Sequence, residues 1–90
     1  MFSQAQLHQY RTHGYTVYPG FLDAETVETC LAEIDEVCRG QTLADHNDDR
    51  VEMEPHQPLE GTQVRRVYDP CTHYPLFRDI AESDTLMRCV

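Results

Sequence analysis

The strongest constraint on the fold of this 90-residue chain is an apolar stripe between Asp23 and Gly40. Asp23 is a typical N-cap residue, Glu25 lies in the first turn, and Gly40 is placed to follow the C-terminus of a helix. Apolar residues recur between them with the three- and four-residue spacing of one helix face: Val27, Cys30, Leu31, Ile34, Val37 and Cys38. The pattern predicts an amphipathic helix over residues 23–39 whose apolar face must pack against another surface.

The remaining segments predict an α+β chain of short elements. Ser3 and Gln6 match a capping box for a helix over residues 3–13, and Gly14 is placed to end it. Residues rich in β-branched and aromatic side chains predict short strands at 15–18, 51–54 and 62–68. Turns or loops are predicted at 19–20, 40–50 and 55–61, and further helices are predicted to start at Pro75 and to be capped by Ser83.

The balance of charges excludes two classes of partner. Seven arginines face sixteen Asp and Glu residues, for a formal net charge of −9. Nucleic acids and anionic membrane surfaces are bound by clustered Lys and Arg, which this chain lacks. No apolar run approaches the roughly 18 residues of a membrane helix, and the N-terminus lacks the basic and apolar regions of a signal peptide. We therefore expect no nucleic-acid or membrane partner and a cytoplasmic location.

The four cysteines do not form a recognisable framework. Cys30 and Cys38 stand eight residues apart on the predicted helix, about 12 Å along its axis. A disulfide requires Cα atoms within about 7 Å, so this pair cannot close. The others are Cys71 and Cys89, and no pair has the spacing of a zinc knuckle or redox motif. We expect four reduced cysteines that act as small apolar residues; a reactive thiol is the alternative.

One triplet matches part of an iron site. His46-Asn47-Asp48 fits the H-x-D of a two-histidine, one-carboxylate centre. The third ligand would have to be His56 or His73. Because the triplet lies in an acidic loop without strand character, a solvated loop is the favoured interpretation.

The same loop also matches part of a calcium site. Asp45, Asn47 and Asp49 correspond to the first, third and fifth positions of a calcium loop. The sixth position should be Gly and is Arg50, and the twelfth should be Glu and is His56. Metal binding at residues 45–56 is therefore the weakest hypothesis.

The basic pair Arg65 and Arg66 is the other candidate for binding. Strand alternation places one of the two on the inner face, where an arginine needs a partner. The expected partners are the carboxylates of Asp69 or Asp79, and the alternative is a bound carboxylate or phosphate. On the first helix, His8 and His13 are expected to be ordinary surface residues on different faces.

Three stretches, taken in order, resemble the start of the phytanoyl-CoA dioxygenase family. The first is residues 6–22, QLHQYRTHGYTVYPGFL, and the second is the helix over 23–39. The third combines RRVYDP at 65–70 with HYPLFRDIA at 73–81. Together they span nearly the whole chain.

The resemblance implies an iron(II)- and 2-oxoglutarate-dependent dioxygenase, a hydroxylase built on a double-stranded β-helix, or jelly roll. In that family the iron ligands and the arginine that grips 2-oxoglutarate lie downstream of such a segment, so no catalytic, cofactor or metal role is transferred to any residue here. Residues 1–90 are then expected to be a truncated N-terminal scaffold without the core barrel and inactive alone. Its partners would be the remainder of the oxygenase domain and, for the full-length enzyme, a small-molecule substrate.

An alternative of a different class stays open. In this alternative the chain is a small acidic interaction module that binds a partner protein through the helix over residues 23–39. Both hypotheses assign the apolar stripe to a docking face, and they differ in whether the docked surface belongs to the same polypeptide.

Overall fold

A computed structural model describes residues 2–89 of the chain. The elements run in the order α1 (Gln4–His13), α2 (Ala24–Cys38), β1 (Val51–Met53), β2 (Val64–Val67), α3 (Pro70–His73), α4 (Pro75–Ala81) and α5 (Asp84–Met87). This is a mixed helix and strand chain with one two-stranded antiparallel sheet in its described part. The mixture of short helices and strands agrees with the sequence analysis, while the jelly-roll origin stays a prediction. The part of the last predicted helix at Val90 lies outside the described residues.

Helix α1 and its caps agree with the sequence prediction. The Gln6 N–H donates to Ser3 Oγ at 3.1 Å, and the Ser3 N–H donates to Gln6 Oε1 at 2.7 Å, which completes the capping box. Gly14 ends the helix in the left-handed region with φ of 81°. Local hydrogen bonding thus determines both ends of α1.

The predicted strand at residues 15–18 is wrong. These residues pair with no strand among residues 2–89 and are held instead by side chains of α1. Gln6 Nε2 donates to the Val17 carbonyl at 2.8 Å, and Thr16 Oγ1 donates to Gln9 Oε1 at 2.9 Å. A β-rich composition produces a strand only where a neighbouring strand supplies the hydrogen bonds.

Helix α2 begins and ends where its caps predict. Asp23 Oδ1 accepts the Thr26 N–H at 2.7 Å, and hydrogen bonding to Thr26 holds the pKa of Asp23 below its ordinary value. Glu25 in the first turn is favourable for the helix dipole. After the C-cap residue Arg39, Gly40 takes a φ of 75° and turns the chain away.

The β1–β2 hairpin contains the only two buried apolar side chains of the described residues, Val51 at 1% exposure and Met53 at 4%. Val51 lies opposite Val67, and Met53 lies opposite Val64. The register shifts between the two pairs, which places one extra residue in β2 as a β-bulge. The hairpin is therefore the packed centre of the chain.

A glutamine side chain organises the connection between β1 and β2. Gln57 Nε2 donates to the carbonyls of Glu54 at 2.7 Å and Gln63 at 2.9 Å, and its Oε1 accepts the Gln63 N–H at 2.9 Å. The preceding loop lies against this connection, because the Leu43 N–H donates to the Gly61 carbonyl at 3.0 Å. The hairpin and the loop before it thus form one hydrogen-bonded unit.

The C-terminal helices follow directly from β2. Asp69 adopts the left-handed region with φ of 46° and ψ of 52°, and Pro70 then starts the single turn α3. Pro75 starts α4 as predicted, and Ser83 Oγ accepts the Leu86 N–H at 3.3 Å to cap α5. No helix within residues 2–89 is both long enough and apolar enough to cross a bilayer.

The chain is elongated and open. Its extents are 49 × 27 × 22 Å and its radius of gyration is 16.8 Å, against about 12 Å for a compact domain of this length. Its accessible surface of 6876 Å² exceeds the roughly 5,400 Å² of a folded monomer of this mass. Among the described elements, close packing joins β1 to β2, α3 to α4 and α4 to α5. Helix α2 takes no part in any of these closely packed pairs.

Candidate functional site

The most prominent surface feature is an apolar ridge on α2 formed by Val27, Leu31 and Ile34. The three residues are spaced by four and three positions and so lie on one line along the helix. Leu31 is 55% exposed, Val27 40% and Ile34 39%. The stripe thus divides into the exposed α2 ridge and a more covered side, where Cys30 and Val37 are half-buried. Cys38, one turn after Ile34, is half-buried at the C-terminal end of the ridge line.

The α2 ridge is flanked by carboxylates on one side. Glu28 and Asp35 each follow a ridge residue by one position, about 100° around the helix, and both are exposed. The residues that flank the ridge on the other side are Cys30 and Val37, which are half-buried. We refer to Glu28 and Asp35 as the acidic border, and neither lies within ion-pair distance of a cation among residues 2–89.

The nearest cation on this helix is already engaged. Arg39, at the C-cap, contacts Glu36 with Nη2 and Oε2 3.1 Å apart. Glu36 follows Ile34 by two positions and therefore lies well away from the α2 ridge. Within the described part of the chain, α2 thus presents an apolar line with uncompensated negative charges along one side.

A second group of charged side chains lies on the outer face of the hairpin. Glu52 Oε2 is 3.0 Å from Arg66 Nε, and Glu52 Oε1 is 3.3 Å from Arg65 Nη1. Tyr68 donates its hydroxyl hydrogen to Glu52 Oε2 at 2.8 Å. One carboxylate therefore joins two guanidinium groups and a phenol.

This cluster corrects the prediction for Arg65 and Arg66. The bulge places both residues opposite Glu52, so both side chains lie on the outer face instead of alternating. Their partner is Glu52, and neither Asp69 nor Asp79 forms an ion pair with them. The same bulge turns Val64 and Val67 toward the buried side with Val51 and Met53, although they are three residues apart.

The hydrogen bond between Tyr68 and Glu52 shifts the pKa of both groups. It is the main reason that the pKa of Glu52 lies below its ordinary value, and Arg66 and Arg65 add to the effect. The same bond to Glu52 raises the pKa of Tyr68. Because each group is held in the form that the bond requires, the cluster is a structural clamp across the two strands.

The H-x-D triplet is compact but incomplete as a metal site. His46 Nε2 lies 2.8 Å from Asp48 Oδ1, and His46 Nδ1 donates to the Thr42 carbonyl at 2.8 Å. Of the proposed third ligands, His73 Nε2 contacts Arg50 Nη1 at 2.9 Å, and His56 lies exposed in the hairpin connection. No three His, Cys, Asp or Glu side chains within residues 2–89 converge on one point.

The residues at the calcium-like positions form hydrogen bonds within the loop instead. The Asp49 N–H donates to Asn47 Oδ1 at 3.0 Å, which is a side-chain turn within the loop. Asn47 also accepts the Arg50 N–H on its carbonyl at 3.0 Å. The residues of this segment therefore do not fit a ligand set for iron or calcium. Arg65 and Arg66 are engaged with Glu52 and do not form an open binding site for 2-oxoglutarate.

The cysteines of α2 have the character of apolar residues. Cys30 and Cys38 are half-buried thiols without a disulfide. Burial, with a smaller contribution from the Asp35 carboxylate, raises the pKa of Cys38. A raised pKa leaves little thiolate, which is the nucleophilic form. His8 and His13 are part of the surface of α1 and form no metal site there.

Two hollows lie beside the helices. One of about 660 Å³ is lined by Phe2, Leu7, Tyr10, Tyr15, Thr16 and Cys89, and most of its wall is apolar. A smaller one of about 270 Å³ lies between Leu22 and Thr26, at the N-terminal end of α2, and Leu76 and Ile80 of α4. Val27, Leu31 and Ile34 line neither hollow.

Sequence reasoning missed the role of Glu52. The available signal was its position between Val51 and Met53, which marks it as outward-facing, together with two arginines on the next strand.

In the comparisons with known proteins, no family model matches the chain. No curated protein and no solved structure matches it either.

Proposed function

We propose that this chain is the N-terminal scaffold of an iron(II)- and 2-oxoglutarate-dependent dioxygenase that resembles phytanoyl-CoA dioxygenases. In this proposal the α2 ridge packs on the outside of a jelly-roll core supplied by the remainder of the oxygenase domain. The observation that carries it is the exposure of Val27, Leu31 and Ile34, since an apolar helix face of this kind is normally covered. The order of the three stretches that resemble the family supports it.

The scaffold contributes surface and takes no chemical step. Iron and 2-oxoglutarate would supply substrate hydroxylation elsewhere in the enzyme, because no three metal-ligating side chains converge among residues 2–89. Arg65 and Arg66 are engaged with Glu52, and Arg50 contacts His73. The substrate is a small molecule bound by the full-length enzyme. The proposed location is cytoplasmic, where the free thiols of Cys30, Cys38 and Cys71 stay reduced.

Two measurements test the scaffold proposal. Reading the coding DNA beyond the codon for Val90 should reveal an open frame with an H-x-D motif and a later histidine; a stop codon directly after Val90 would overturn it. The 90-residue chain, supplied with iron(II) and 2-oxoglutarate, should form no succinate. Turnover by this chain would show that it holds an active site and is more than a scaffold.

A second candidate function is favoured by the acidic border. A free-standing interaction module would use the α2 ridge to bind a separate protein, and charged residues beside an apolar helix face select such partners. This function predicts a cooperative thermal transition and a complex of defined stoichiometry for the pure chain. A molten, aggregating product would count against it.

A further inference from the structure

We propose that the α2 ridge binds a cationic amphipathic helix, one with an apolar stripe flanked by Lys or Arg. This inference rests on the partner-binding function proposed above and specifies the chemistry of the partner. It follows from two independent features of α2, namely the exposed line of Val27, Leu31 and Ile34 and the charges of the acidic border. Helices that lie in apolar contact choose partners through the charges on either side of the contact.

The charges argue against a second copy of this chain as the occupant. In an antiparallel pair of α2 helices the edge carrying Glu28 and Asp35 would face the same edge of the copy. In a parallel pair it would face the edge carrying Cys30 and Val37, which is half-buried. The antiparallel pair opposes carboxylates, and the parallel pair gives them no cation, because Arg39 is held by Glu36 away from the contact. A cationic helix places an opposite charge beside both Glu28 and Asp35.

The geometry of the α2 ridge suits one helix as the occupant. Val27, Leu31 and Ile34 form a single line along α2, and each is between 39% and 55% exposed. The partner helix would pair its own apolar positions with the α2 ridge in the manner of helix-in-groove recognition. Its Lys or Arg side chains would lie over Glu28 and Asp35.

The test is a calorimetric titration of the 90-residue chain with three helical peptides of about five turns. All three carry the same leucine stripe, and they differ only in whether Lys, Gln or Glu flanks it. The Lys peptide should bind at least about tenfold more tightly than the Gln peptide, since each border charge contributes modestly, and the Glu peptide should bind most weakly. Raising the salt concentration should reduce the preference.

Matched double variants separate the acidic border from net charge. Glu28→Gln with Asp35→Asn removes two charges beside the ridge, whereas Glu25→Gln with Glu36→Gln removes two on the far face. The first double variant should weaken binding of the Lys peptide by about tenfold, and the second should weaken it by less than about twofold. Equal weakening would mean attraction to net charge and would overturn the proposal. Circular dichroism confirms that each variant keeps its helices.

The remaining outcomes distinguish the inference from the function beneath it. If the Gln and Lys peptides bind equally and Leu31→Gln abolishes both, α2 is a docking face and the cationic partner is wrong. If no peptide binds, the partner-binding function itself fails. If sedimentation shows a dimer that Leu31→Gln dissociates, the occupant is a second copy and the proposal is overturned. Amide shifts confined to α2 would place the bound Lys peptide on the ridge.

Discussion

The β1–β2 hairpin covers its apolar side chains within the chain, whereas helix α2 leaves its apolar side chains exposed. Val51 and Met53 are almost inaccessible, while Leu31 is more than half exposed. The hairpin also closes its outer face with a clamp of Glu52, Arg66 and Tyr68, in which each charge or hydroxyl has a partner. The acidic border on α2 has no ion-pair partner among residues 2–89.

This contrast assigns different roles to the two regions. A satisfied cross-strand network and a buried inner face stabilise a local unit. An exposed apolar ridge contributes little to the stability of this chain, because apolar area is stabilising only when it is buried. The hairpin therefore carries the fold, and we assign the interaction surface to α2.

The greatest loss of stability is expected from removing a buried side chain of the hairpin. Met53→Ala should lower the free energy of unfolding by about 2–5 kcal/mol, through lost burial and the cavity left behind. The matched change on the exposed ridge, Leu31→Ala, should alter it by less than about 0.5 kcal/mol. Urea unfolding followed by circular dichroism measures both, and equal losses would contradict the division into a packed hairpin and an uncovered helix.

A smaller loss is expected from adding a methyl group to the hairpin connection. A Cβ at Gly61 would lie 2.9 Å from the Pro58 carbonyl oxygen and closer still to the Gln57 amide. Gly61→Ala should therefore cost about 1–3 kcal/mol through overpacking. Gly14→Ala is the comparison in the helical region. Its Cβ meets open space, so only the left-handed backbone costs energy, about 1 kcal/mol. Urea unfolding that ranks Gly14→Ala as the more damaging change would argue against the tight connection.

The contribution of the clamp to the free energy of unfolding should be lost at both low and high pH. Because the pKa of Glu52 is lowered in the folded chain, Glu52 contributes to stability. This contribution to the free energy of unfolding is complete above the ordinary carboxyl pKa of about 4.3 and is lost as pH falls through the lowered value. Asp23 behaves alike on the acid side. The raised pKa of Tyr68 acts oppositely: its contribution is complete below about pH 10 and is lost as pH rises further.

We refer to the losses of stability at low and high pH as the acid limb and the alkaline limb. Urea unfolding of two variants across pH shows which group causes each limb. Glu52→Gln should flatten much of the acid limb and leave the smaller part due to Asp23. Tyr68→Phe should remove its own part of the alkaline limb and leave the part due to the raised pKa of Cys38. Glu60→Gln, at an exposed position in the hairpin connection, should keep the whole profile. An unchanged acid limb in Glu52→Gln would show that the clamp contributes nothing to folding.

The smallest effect is expected for metal binding to the acidic loop before β1. No three ligating side chains of residues 2–89 converge there, and Asn47 is engaged in a turn. Calorimetric titration with iron(II), zinc and calcium should therefore give no saturable heat. Saturable binding that His46→Ala removes would revive the H-x-D triplet as a metal site.

Helices α1, α2, α4 and α5 could be predicted from local sequence, whereas the single turn α3 was not. Ser3 with Gln6, Asp23 with Thr26, and Ser83 each form a cap within three residues, and Gly14 and Gly40 end helices through their own backbone freedom. The apolar spacing of α2 identified its apolar face for the same reason, because helical hydrogen bonds and side-chain neighbours lie within four residues along the chain. The candidate surface could therefore be predicted from the order of the residues alone.

The strands and the arginine partners depended instead on contacts between distant parts of the chain. Residues 15–18 have the composition of a strand but pair with no strand of residues 2–89, and the bulge in β2 moved Arg65 onto the face of Arg66. Strand pairing joins residues far apart in sequence, and a one-residue shift in register reverses the face of every following side chain. Local patterns do not encode that shift, so the clamp around Glu52 is defined only when β1 and β2 lie side by side.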